Sequence, residues 1–220
     1  AISNSGAELQ TITALGPSAM TLMDTSRWEK FMGKLDTDCF DFAIIAPPAL
    51  TFLNSCDEGS PARAGLGPEI YGLRKLRPGM KDHVKVENIL WSRAAAVALA
   101  LYERGWPWML MVPESSGMVT APSNLEAVDK VIGQPKVYKH FVGNRAENGD
   151  IVDGAVSLYC FGFDLEGIMF DPNGDHIWKI MDKVIRTAAG YHDRQEDALR
   201  AVRGVAVPRV AEGAAISEDA

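Results

Sequence analysis

The sequence predicts a three-layer α/β domain built on a mostly parallel sheet. Two apolar runs, Phe40–Ala46 with Asp41 as its one polar residue and Trp108–Val112, each stop at a proline-containing loop, and a long amphipathic helix separates them. Strands that are apolar throughout suit a sheet covered on both faces. The order strand, loop, helix, strand is a crossover unit. A chain of 220 residues with 47% apolar residues can bury a core of that size.

The elements follow in chain order. "SAMTLM", Ser18–Met23, is a candidate short strand, and Asp24 follows it. Trp28, Phe31, Met32 and Leu35 fall at helical spacing over Ser26–Leu35, with Thr25 or Ser26 as the cap. Residues 54–79 are rich in Gly, Pro and Ser and read as a long loop, a feature that is often functional or mobile. Lys81–Arg104 forms the clearest helix, with an apolar stripe of Val84, Ile89, Leu90, Ala94, Val97, Leu101 and Tyr102, closed by Gly105. A short helix is predicted over Asn124–Ile132, and later strands over Lys136–Val142 and Ala155–Phe163. Trp178–Ala189 reads as helical, and residues 204–220 as a flexible acidic tail on a domain spanning 1–203.

Composition excludes several classes. The net charge of −7 argues against wrapping nucleic acid by overall charge, so any such role needs a local patch. No apolar run approaches the roughly 18 residues of a membrane span. The opening "AISNSGAELQ" has neither the basic nor the apolar region of a signal peptide, and without a Met it is expected to be processed or trimmed. Cys39, Cys56 and Cys160 are widely spaced, and the four His are scattered. Neither a disulfide framework nor a metal site is expected, and a reducing intracellular compartment is favoured.

In open α/β sheets, ligands sit beyond the carboxyl ends of the strands. "APPALTF" and "VPESSG" both belong to that edge if the two strands are neighbours. The stretch "FDFAIIAPPALTF", followed by "GPEIYGL", a long helix and "RGWPWMLMVPESSG", resembles DNA cytosine-5 methyltransferases and their diverged relatives, such as methyltransferase-like domains of protist retroelement-type proteins. The likeness spans roughly residues 20–165 and implies a methyltransferase-like (Rossmann-like) fold.

The same resemblance exposes departures. The family places a nucleophilic Cys after the double proline, and only a thiolate attacks the ring carbon readily at neutral pH. Here Pro47 and Pro48 are followed by Ala49, whose methyl group cannot form an adduct. Cys56 lies seven residues further on. The family's base-holding Glu has its nearest counterpart in Glu114, displaced and without the usual Asn. The S-adenosylmethionine loop is matched best by "ISNSGAEL", Ile2–Leu9, with Gly6 on its second glycine and Asn4 on its first, so the strand leading into it is expected to be reduced or absent. Asp24 falls where the family has an acid for the cofactor's ribose or adenine, or else serves as an ordinary capping or turn residue. "GNR", Gly143–Arg145, stands where relatives have a Gln-Cys motif.

Other candidates are fewer. "GWPW" fits a base-stacking platform or core packing. Arg74, Lys75, Arg77, Lys81 and Lys85 form the one dense basic cluster, suited to phosphates, an acidic partner or plain solvation. Ser115 and Ser116 lack a nucleophile-elbow context, and phosphate-loop and calcium-loop patterns are absent.

The expectation is therefore a pseudoenzyme: a methyltransferase-like fold without catalysis or cofactor, kept as a structural or interaction module with protein partners. One alternative is an S-adenosylmethionine-dependent methyltransferase acting on a base amine, with Glu114 or Asp41 orienting the amine. A second is a nucleic-acid binding module using the 74–85 basic cluster and the aromatic residues.

Overall fold

The computed structural model describes residues 23–35, 37, 42–54, 59–114, 117–142, 155–162 and 165. Residues 18–22 of the candidate first strand, the helix predicted at 178–189 and the tail lie outside them. So do Gly6, Cys39, Asp41, Cys56, Ser115, Ser116 and 143–145.

The first helix, α1 (Thr25–Leu35), buries Phe31 and Leu35. Its cap is Asp24, one residue before the predicted pair: Oδ1 accepts the Arg27 N–H at 2.8 Å, and the Asp24 carbonyl accepts that of Trp28 at 2.9 Å. The first strand, β1 (Ala43–Ile45), stops just ahead of Pro47 and Pro48, which offer no N–H to a ladder.

Helix α2 (Pro78–Glu103) opens with proline at its first position. Its buried face holds Val84, Leu90, Ala94, Val97 and Leu101 as predicted, and also Glu87 and Trp91. Ile89 and Tyr102, assigned to that stripe from the sequence, are only half-buried. The helix ends in a Schellman motif. Gly105 takes a φ of 73°, its N–H bonds the Tyr102 carbonyl, and the Trp106 N–H bonds that of Leu101.

The remaining elements are β2 (Trp108–Pro113), α3 (Glu126–Ile132), β3 (Val137–Val142) and β4 (Val156–Phe161). The strand order is β1-β2-β4-β3. β1 and β2 are parallel neighbours, with Ala43 opposite Trp108 and Ile45 opposite Leu110. β4 runs antiparallel to both β2 and β3. The predicted mixture of helix and strand is present, but the pairing among the described strands is mostly antiparallel. The cause is β4 alone: β1, β2 and β3 share a direction, and β4 enters reversed between β2 and β3. β4 pairs directly with β3, the described strand before it in the chain, and runs opposite to it.

Alternation sorts the core. Trp108, Leu110, Val112 and Tyr159 face α1, α2 and α3 in one cluster with Phe31, Trp91 and Val128. Met109, Leu158 and Cys160 form a second cluster on the opposite face, with Leu165. Met109 and Cys160 have no solvent exposure, so both faces of the central strands are covered. No described helix is long and apolar enough to cross a membrane.

Candidate functional site

The loop leaving β1 is fixed from three sides. Trp91 of α2 donates its indole N–H to the Pro48 carbonyl at 2.8 Å. Ala49 is half-buried, with its methyl packed against the helix-side core. It opens a 3-10 turn, Leu50–Phe52, that has no side-chain cap of its own at position 49.

The cap comes from elsewhere. Glu87, 37 residues away from Leu50, accepts the Leu50 N–H at 2.8 Å and the Thr51 N–H at 3.1 Å. The Thr51 hydroxyl donates to the same carboxylate. A carboxylate so placed satisfies donors that a short turn leaves open.

Arg63 completes the latch. Its Nε and Nη2 donate to Thr51 Oγ1 at 3.0 and 2.8 Å, and its Nη1 donates to the Ile70 carbonyl and Asn88 Oδ1, both at 2.7 Å. Nη2 stands 3.8 Å from Glu87 Oε2, and both side chains are buried. The guanidinium carbon lies 3.8 Å from the Phe52 ring centroid. Asn88 in turn donates to the Tyr71 carbonyl at 2.8 Å. The 59–79 part of the long loop, read from sequence as functional or mobile, is thus pinned at Arg63, Ile70 and Tyr71. Gly72 is required where it lies: its φ is 127°, and an added Cβ would stand 2.7 Å from Val84 Cγ1.

The segments after β1 and β2 are also strapped together. Asn54 N–H bonds the Gly117 carbonyl at 2.7 Å, and Val119 N–H bonds that of Phe52 at 2.9 Å. The two proline-terminated strands are neighbours, as the crossover reading requires, and the space under the first loop is filled by Phe52, Trp91 and Arg63, all essentially without exposure.

Glu114 belongs to a different place. Its Oε1 accepts Lys139 Nζ at 2.8 Å and the buried Ser157 hydroxyl. Lys139 is on β3 and Ser157 on β4, so this carboxylate reaches across the sheet away from β1. The structure therefore does not bring Glu114 and Ala49 to one point through this contact. Burial acts to lower the Lys139 pKa, but the hydrogen bond to Glu114 and the charges of Tyr159 and Glu114 outweigh it, and the net shift is upward.

The other candidates separate too. One carboxylate oxygen of Asp24 is spent on the helix cap. Arg74, Lys75, Arg77 and Lys81 are exposed around the start of α2. Trp108 has no exposure, and Trp106 packs half-buried on the same core, so "GWPW" is core packing. A cavity of about 270 Å³ lies between α2 and the start of α3, lined by Tyr71, Asn88, Ser92 and Leu125 among others. Among the described residues, no group of three or more His, Cys, Asp or Glu comes together as a metal site would need.

Sequence reasoning missed Glu87, Arg63 and Asn88. Glu87 carried a signal, since it interrupts the apolar positions Val84, Trp91 and Ala94 on one helix face, and a charge there needs a partner. Arg63, in a glycine- and proline-rich stretch, carried none. No family model, curated protein or solved structure matches the chain.

Proposed function

We propose that this chain is a non-catalytic, methyltransferase-like domain retained as a structural or interaction module of a larger assembly. The observation that carries this reading is Ala49. A methyl group stands where the resembled family keeps its thiol, it packs against the core, and the turn it opens is latched by Glu87 and Arg63. A loop committed to internal partners on both sides is poorly suited to receive a flipped base.

The sheet supports the fold part of the reading. β1 and β2 are parallel neighbours with α2 between them in the chain, the crossover unit that the resemblance implies. The second, fully covered cluster around Met109 and Cys160 supports a third layer.

A base-amine methyltransferase needs a carboxylate or amide free to orient the amine beside Pro47–Ala49. The commitment of Glu114 to Lys139 and Ser157 counts against it in that role. For S-adenosylmethionine, the carboxylate offered by Asp24 is engaged at α1.

Titration calorimetry with S-adenosylmethionine and a labelled-methyl transfer assay on DNA and RNA test the proposal. Neither binding nor transfer is expected, and Ala49→Cys alone is expected to leave transfer absent. Micromolar binding or measurable turnover by the native chain overturns it.

A further inference from the structure

The segment from Leu66 to Lys85 carries five basic residues against two acidic ones, in a chain whose net charge is −7. Arg74, Lys75, Lys81 and Lys85 are exposed, and none forms an ion pair among the described residues. Two leucines share this region and are held out in solvent: Leu66 is 85% exposed and Leu50 is 68% exposed.

Short links tie these segments together: Arg63 donates to Thr51, next to Leu50, and the Leu73 N–H, next to Arg74, bonds the Ala62 carbonyl. Glu87 holds the Leu50 N–H, and Val84, one turn earlier on the same face of α2, meets the backbone at Gly72. Leu50 and the basic segment therefore flank adjacent turns of one helix. Leu66 is held in place by the bonds Ala64 N–H to the Glu69 carbonyl and Leu73 N–H to the Ala62 carbonyl, and Arg63 anchors that loop. An ordered aliphatic side chain kept in water forgoes about 1.5–3 kcal/mol of burial, which a partner's apolar surface would recover.

From this juxtaposition of exposed leucines and unpaired cations, and resting on the interaction-module reading above, we propose that this surface docks an acidic amphipathic polypeptide segment of a partner protein. Carboxylates of the segment meet Arg74, Lys75, Lys81 and Lys85, and its apolar side chains cover Leu50 and Leu66. A nucleic-acid strand fits less well. Binding a single strand draws on stacking of bases against aromatic faces. The two most exposed apolar side chains here, Leu50 and Leu66, are aliphatic, and Tyr71 is the one exposed aromatic of this loop, short of the successive faces a strand of bases stacks on.

The test is to pan short random peptides displayed on phage against the full chain, then measure the recovered peptides by fluorescence anisotropy. A single-stranded oligonucleotide of matched charge serves as competitor. The expected peptides combine Asp or Glu with Leu, Ile or Phe. Their binding weakens about tenfold in Arg74→Glu/Lys75→Glu, and to a similar degree in Leu66→Ser, with rising salt mimicking only the first change. Both variants alter exposed side chains, and far-UV circular dichroism checks that they fold. Peptides without acidic enrichment, binding that neither variant moves, or displacement by a tighter-binding oligonucleotide would each overturn the proposal. Cofactor binding or methyl transfer would instead sink the module reading, whatever the peptides do.

Discussion

Ala49 is inert, but its neighbours are costly to disturb. Arg63 and Glu87 are buried with their charges 3.8 Å apart and share Thr51 between them. Removing one partner from such a pair leaves an uncompensated buried charge, at a cost of about 3–5 kcal/mol. Glu87→Ala is therefore expected to lower the unfolding free energy in urea by that amount, a large share of the roughly 5–15 kcal/mol a domain possesses. Replacing both, as Arg63→Met with Glu87→Leu, is expected to cost much less than the sum of the single changes, because neither charge is then stranded. An additive double mutant would show that the two side chains act independently and that the latch is not one unit.

At the scale of elements, the Glu114–Lys139–Ser157 contact ties three strands, β2, β3 and β4, at one end of the sheet. The folded-state pKa of Lys139 is raised, so its contribution to stability is complete below the ordinary lysine pKa of 10.5. It is lost as pH climbs through the higher folded value. Denaturant midpoints measured from pH 9 upward should fall more steeply for the native chain than for Lys139→Met (about pH 9 being safely below the ordinary lysine range). Equal slopes would assign the alkaline loss to other groups. Most of the elements were legible from local pattern: the stripe of α2, the glycine closing it and the apolar run of β2 each express a periodicity or a stop signal. What escaped was long-range. Nothing near Ser157 announces that β4 slots between β2 and β3, and nothing near Glu114 announces a lysine two strands away. At the candidate site, Pro47, Pro48 and Ala49 were readable as a loop at the strand edge, while its latch depends on Arg63 and Glu87 meeting across 24 residues of sequence.

Over the whole molecule, the sheet has a protected centre. β2 is paired on both sides and buried on both faces, whereas β1 has three residues and α1 contributes two buried side chains. Amide hydrogen exchange should be slowest for Met109–Val112 and faster in α1. Equal protection in the two would mean that the described elements open only as one unit. The strand order also bears on synthesis. β4 is the last described strand to leave the ribosome, yet it lies inside the sheet, so one edge of β2 stays unmatched until residue 161 has emerged. During that interval the nascent chain presents bare backbone donors and acceptors beside its most apolar strand. That is the period in which a chaperone, or a neighbouring nascent copy, can claim the edge first.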